Sequence, residues 1–134
     1  MSTDTVVDLR WTGDLRFEAH SGETRMTLDG DSVAGPSPVQ ALAMGLAACM
    51  GIDVALILQK GRLPLKALRA HLVGERAIDQ PRRFLRIKLT FAVTGDVPPD
   101  KVERAIALSR ERYCSVWHSL RQDIELETSF EIEK

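Results

Sequence analysis

Cys49 and Cys114 are the two cysteines of the chain and its most reactive side chains. Neither belongs to a CxxC pair. No His or Cys stands at metal-ligand spacing beside either, and His20, His71 and His118 are scattered. Neither a metal site nor another cofactor is therefore expected. Cys49 lies inside ALAMGLAACMGIDVALIL, residues 41–58, whose only charge is Asp53. There it reads either as a small buried hydrophobe or as a nucleophile. Cys114, in Arg-Tyr-Cys-Ser-Val-Trp, opens a short helical piece, where the helix dipole and free amides favour a thiolate. Two such cysteines in a reducing compartment could form a peroxide-reducing pair. One attacks, becomes a sulfenic acid and condenses with the other. That chemistry needs a cation at the first sulfur, because an apolar site alone raises a thiol's pKa.

Two polar neighbours carry open readings. Asp53, four residues after Cys49, shares its helix face, and a carboxylate there opposes a thiolate. Its alternative is an Asp satisfied by a backbone group or an Arg. His118, four residues after Cys114, either reaches that sulfur or is a structural His beside Trp117. The Arg82-Arg83 pair with Arg86 reads as a solvated strand face.

The elements that must position these residues follow from pattern. Ser37 suits an N-cap, Pro38 the first helical turn and Gly61 the C-cap, with Pro64 beyond. They bound a central helix over 38–60, roughly 34 Å long at the standard rise. It is apolar all round, so it needs covering on all sides, and burial at a homo-oligomer interface is expected. By length it also borders on a membrane span, a reading set aside because Asp53 is costly in lipid. Before it, alternating runs at Thr5–Trp11, Leu15–His20 and Thr24–Asp29 predict a β-meander over 5–30. After it, 65–94 reads as a hairpin, 98–120 as helices and 123–133 as a final strand. The class is α+β, one domain over 1–134.

Composition narrows the function. The chain has 134 residues, 18 Lys+Arg against 19 Asp+Glu, 44% hydrophobic and 5% aromatic residues. Near-neutral charge argues against a nucleic-acid or membrane-surface binder. Two cysteines are too few for a disulfide scaffold, and the start MSTDTVVDLRW lacks a secretory pattern, so a cytoplasmic location is the expectation.

Gly-Pro-Ser-Pro-Val-Gln-Ala-Leu followed by Ala-Ala-Cys49-Met-Gly-Ile-Asp-Val resembles the central-helix motif of the OsmC/Ohr family. Gly74-Glu75-Arg76, Pro81, Arg83-Phe84, Val93-Thr94-Gly95 and Tyr113-Cys114-Ser115-Val116 match it in the same order, and Ile52-Asp53-Val54 resembles the YhfA-like branch. The resemblance implies an intertwined homodimer, with antiparallel sheets around long buried central helices. It implies a peroxidase, or hydroperoxide reductase, acting on organic hydroperoxides. Cys49 would be the peroxidatic and Cys114 the resolving cysteine, with an external dithiol as reductant. It further implies an N-terminal-region Arg at the thiolate, for which Arg16 is the best match, ahead of Arg25 and Arg10; the alternative for Arg16 is an exposed strand arginine. The family's Glu, which holds that Arg from the start of the helix, has no counterpart, because Val39 and Gln40 stand there. Gln40 could still hydrogen-bond an Arg or a substrate, and Glu18 could supply the charge from the sheet. The other functional class on the same fold is a non-catalytic protein that binds a small apolar or thiol-bearing ligand at the dimer interface.

Overall fold

The computed structural model describes residues 3–134. The chain forms two compact units, the residues up to Met44 and Gly45–Lys134.

The first unit is built on an antiparallel meander: β1 (Asp8–Gly13), β2 (Arg16–Ser21) and β3 (Thr24–Asp29), in that spatial order. Gly13 (φ 126°) and Asp14 (φ 47°) make the first turn, which the Trp11 indole braces by donating to the Asp14 carbonyl at 2.9 Å. Register places Trp11 opposite Phe17 and Ala19 opposite both Leu9 and Met26. These residues share one sheet face, because alternate residues of a strand point the same way. Leu9, Trp11, Phe17 and Met26 on that face are all exposed. After β3 the chain folds back against its own strand. The Asp29 N–H donates to the Pro36 carbonyl at 3.0 Å, and a Cβ at Gly35 would collide with the Thr27 carbonyl.

The central helix α1 (Pro38–Lys60) starts where the sequence marks it. The Ser37 hydroxyl accepts from the Gln40 N–H at 3.2 Å, and the Gln40 side-chain oxygen accepts from the Ser37 N–H at 2.9 Å. This reciprocal pair is a capping box with Gln in place of Glu. At the other end the Leu63 N–H reaches the Leu58 carbonyl and the Arg62 N–H the Gln59 carbonyl. That is the two-bond Schellman closure. Arg62, not Gly61, takes the left-handed position (φ 58°).

In the second unit, β4 (Ala67–Arg76) pairs antiparallel with β5 (Phe84–Thr94). Then come α2 (Pro99–Leu108), a π-helical turn at Ser109–Tyr113, the single turn α3 (Ser115–His118) and β6 (Glu125–Glu133). The class is α+β, but one pairing departs from the antiparallel expectation. β6 runs parallel to β5, from Arg86 opposite Glu125 to Thr94 opposite Glu133. The helical connection carries the chain back to the starting end of β5, and a long crossover of this kind is what parallel neighbours require. Gly74 admits the Phe84 ring at a site where a Cβ would clash with it.

The core of this unit is one cluster. Ile87, Leu89, Phe91 and Val93 alternate inward from β5 to meet Leu46, Met50, Val54 and Leu58 of α1, with Val102, Ala105, Ile106 and Trp117 from the crossover. The α1 contribution is a single stripe at four-residue spacing, as one helix face requires. Burial on all sides is thus not achieved within one chain. Leu42, Met44, Ile52 (65% exposed) and Leu56 remain uncovered. By length and composition α1 is also apolar enough to cross a membrane, although its buried stripe packs on a sheet.

Candidate functional site

Cys49 and Cys114 are distant in sequence and adjacent in the second unit. α1 carries Cys49 half-buried, one position before the core residue Met50. Cys114 is fully buried at the joint between the π-helical turn and α3. Both are free thiols. The Cys114 backbone is extended (φ −73°, ψ 99°), so its side chain caps α3, and its sulfur accepts from the Trp117 N–H at 3.3 Å. That amide favours the thiolate, but loss of solvation outweighs it. Burial pushes the Cys114 thiol up to about 11, with the adjacent Cys49 sulfur adding to the rise. Cys114 is therefore protonated at neutral pH, opposite to the thiolate that the helix-start position suggests. The amides of Trp117 and Val116, at the start of a four-residue helix, do not offset the desolvation.

Among the described residues, the partner of Asp53 is neither a backbone group nor an arginine. The Asp53 Oδ2 accepts from the hydroxyl of fully buried Ser109 at 2.8 Å. The Ser109 carbonyl in turn accepts from the Cys114 N–H at 2.8 Å. Sequence reading misses Ser109, because a serine between a helix and an Arg-rich segment carries no spacing signal. His118 follows its structural alternative: Nε2 pairs with the Arg110 carbonyl at 3.0 Å. Arg110 also lies over the Trp117 ring. Arg86 reaches Glu125 at 3.0 Å on the exposed sheet face.

Arg16 lies in the first unit, on β2. The carboxylate that holds it is Asp29, through Nε to Oδ2 at 3.2 Å. Glu18 instead accepts from the Thr27 hydroxyl at 2.7 Å. The Gln40 side-chain oxygen belongs to the helix cap and also accepts from the Ser32 hydroxyl at 3.0 Å. Asp29 is a residue that sequence reading passes over. The cue is its place at the end of a strand before Gly-Asp-Ser, where an Asp side chain commonly caps the following amides. It does so here, taking the amides of Asp31 at 2.9 Å, Val33 at 3.3 Å and Ala34 at 2.9 Å.

The Ala34 and Asp31 amides, then Arg16 and the Val33 amide, hold the Asp29 carboxyl down to about 2 despite its burial. Its folded pKa lies below its unfolded one, so ionised Asp29 stabilises the fold. That contribution is complete above about pH 4 and is lost as pH falls toward 2. Asp29→Asn should therefore lower the urea midpoint at pH 7 and flatten its decline between pH 5 and 2. Parallel wild-type and variant curves would show that Asp29 has no such part.

Among the described residues, no group of three or more His, Cys, Asp or Glu is placed to hold a metal ion.

Comparison with known proteins agrees with this fold. Residues 29–129 match the family model described as OsmC-like protein. Protein YhfA of Escherichia coli K12 is 38% identical over 128 residues, covering 92% of this chain and 95% of that protein. The crystal structure of a hypothetical protein from Aquifex aeolicus superposes with a TM-score of 0.91 at 26% identity, covering 98% of both chains. At 16% identity, a structure from Legionella pneumophila described as an organic hydroperoxide resistance protein OsmC shares the fold, with a TM-score of 0.71 and 96% of both chains covered. Three-quarters of the chain lies within the family model and nearly all of it aligns with YhfA, so this protein belongs to the OsmC-like family.

Proposed function

We propose that this protein reduces organic hydroperoxides with Cys49 and Cys114 and is reset by an external dithiol. The observation that carries the reading is the pairing of two free thiols of unequal character in one apolar site. Cys114, buried and protonated, is a poor first nucleophile. Cys49, partly open, is the sulfur that meets the peroxide. Its thiolate attacks the outer peroxide oxygen and the O–O bond breaks. With one proton taken up, the products are an alcohol and Cys49 sulfenic acid. The Cys114 thiol then displaces water, and the Cys49–Cys114 disulfide forms. A dithiol reduces it by two exchange steps. Proteins of this fold described as organic hydroperoxide resistance proteins support the reading.

Arg16 is the cation assigned to the Cys49 thiolate, with Asp29 in the orienting role that Val39 and Gln40 cannot fill. Gln40 keeps its side-chain NH2 for a substrate oxygen. The working form is a homodimer: the open faces of α1 and of the meander are apolar surface that a second copy would cover. The 1–134 chain acts as one functional domain in that dimer, in the reducing cytoplasm, where two cysteines stay available for turnover.

Steady-state consumption of cumene hydroperoxide in the presence of dithiothreitol tests this. Peroxide loss should be proportional to protein concentration and saturate in peroxide; a rate equal to dithiothreitol alone would overturn it. The absence of an acidic residue from the first turn of α1 favours a second reading, an interfacial ligand-binding protein with an idle Cys49. Thiols unchanged after brief peroxide exposure would support that one.

A further inference from the structure

Asp53 and Ser109 are buried or half-buried polar groups for which the peroxide chemistry has no use, yet their bonds link the helix that carries Cys49 to the backbone that carries Cys114. Asp53 follows Cys49 by four residues, just over one turn along α1. It accepts from the Ser109 hydroxyl at 2.8 Å, and the Ser109 carbonyl accepts from the Cys114 N–H at 2.8 Å. Two bonds therefore tie the helix bearing one sulfur to the backbone bearing the other. The second of them spans five residues, the wide spacing of a π-helical turn, which is uncommon and frequent at functional sites. It ends at the residue where the chain turns extended and the Cys114 sulfur is aimed.

A carboxylate so close to Cys49 is electrostatically adverse to a thiolate. Leaving Ser109 buried without an acceptor would be adverse as well. Geometry explains the arrangement: the bond fixes the start of the π-helical turn against α1.

We infer that Asp53 and Ser109 are positioning residues that hold Cys114 against Cys49 and so set the strength of the disulfide between them. The inference rests on Cys49 and Cys114 acting as the redox pair proposed above. The relevant equilibrium needs no peroxide. The reduced protein and oxidised dithiothreitol give the protein disulfide and reduced dithiothreitol. One S–S bond forms in the protein and one breaks in the reagent, and two electrons and two protons pass to the reagent.

Reduction potentials of the Cys49–Cys114 pair, measured in dithiothreitol buffers, test it. Ser109→Ala and Asp53→Ala should each weaken the disulfide about 10-fold, a potential less negative by about 30 mV. Asp53→Asn should stay near wild type, because its side-chain oxygen still accepts the Ser109 hydroxyl. That rescue separates positioning from charge. Should Asp53→Ala fail to fold, Ser109→Ala against Asp53→Asn still decides. Equal potentials in wild type and Ser109→Ala would overturn the inference, as would a wild type that forms no disulfide. Cumene hydroperoxide turnover on the same samples keeps the two ideas apart. A potential shift without turnover sinks only the peroxidase reading, and turnover with equal potentials sinks only the positioning role.

Discussion

Replacing Cys49 by serine is expected to lower dithiol-dependent consumption of cumene hydroperoxide by about 100-fold or more, since a serine hydroxyl supplies no anionic nucleophile at neutral pH. The substitution is close to isosteric, so stability should barely change and the loss would be chemical. Cys114→Ser should behave differently. Cys114 is buried and protonated, so its loss leaves the first attack intact and removes the partner that closes the disulfide. Without dithiol the variant should consume one equivalent of peroxide quickly and end with Cys49 as a sulfenic acid, open to further oxidation, where the wild type ends as the disulfide. Stopped-flow peroxide consumption with intact mass readout checks both. A Cys49→Ser protein as fast as wild type would mean that another group does the chemistry. Lost consumption in Cys49→Ser and a fast single turnover in Cys114→Ser would fix the order of attack.

The second large effect concerns assembly. Ile52→Glu is expected to shift the protein from a species of roughly twice 14.9 kDa to one of 14.9 kDa in light scattering at micromolar concentration. Ile52 lies on the face of α1 turned away from the core stripe, with Met44 and Leu56 also open there. In a two-fold interface each residue of the patch occurs twice about the axis, so one substitution buries two carboxylates without partners. A cost of several kcal/mol follows, enough to weaken association at least about 100-fold. The folded chain should survive, because its own core uses Leu46, Met50, Val54 and Leu58 instead. A wild type of 14.9 kDa at these concentrations would show that the chain does not dimerise.

The long helix is legible in the sequence because its signals are local. Ser37-Pro38 and Gly61 with Pro64 bracket an uninterrupted apolar run, and the cap bonds form among those same residues. The alternation of Ile87, Leu89, Phe91 and Val93 likewise exposes a core strand. The direction of β6 is not legible, since Glu-flanked alternation in Glu125–Glu133 is the same for a parallel and an antiparallel neighbour. Only the crossover through α2 and α3 sets it. The half-buried state of α1 has a similar origin. The run's apolar character shows that it must be covered, but not whether one chain can cover it.

At the site, the cysteines are visible by type and by motif, whereas their unequal environments are not. The rise of the Cys114 thiol comes from burial by residues distant in sequence. Asp29 carries a local cue and is Arg16's direct partner in the β2–β3 register, so its contact follows once the hairpin turn is placed. Ser109, by contrast, meets Asp53 from the π-helical turn to α1, a contact with no spacing rule. The helix start, with Val39 and Gln40, has no acid for Arg16, while the end of β3 supplies one.

The proposed function depends on Cys49 and Cys114 acting as one redox pair. Peptide mapping of the wild-type protein after one equivalent of cumene hydroperoxide tests it most directly. A Cys49–Cys114 cross-linked peptide, in near-stoichiometric yield and lost on adding dithiothreitol, is the predicted result. Both thiols recovered free, or Cys49 oxidised with Cys114 still free, would contradict it.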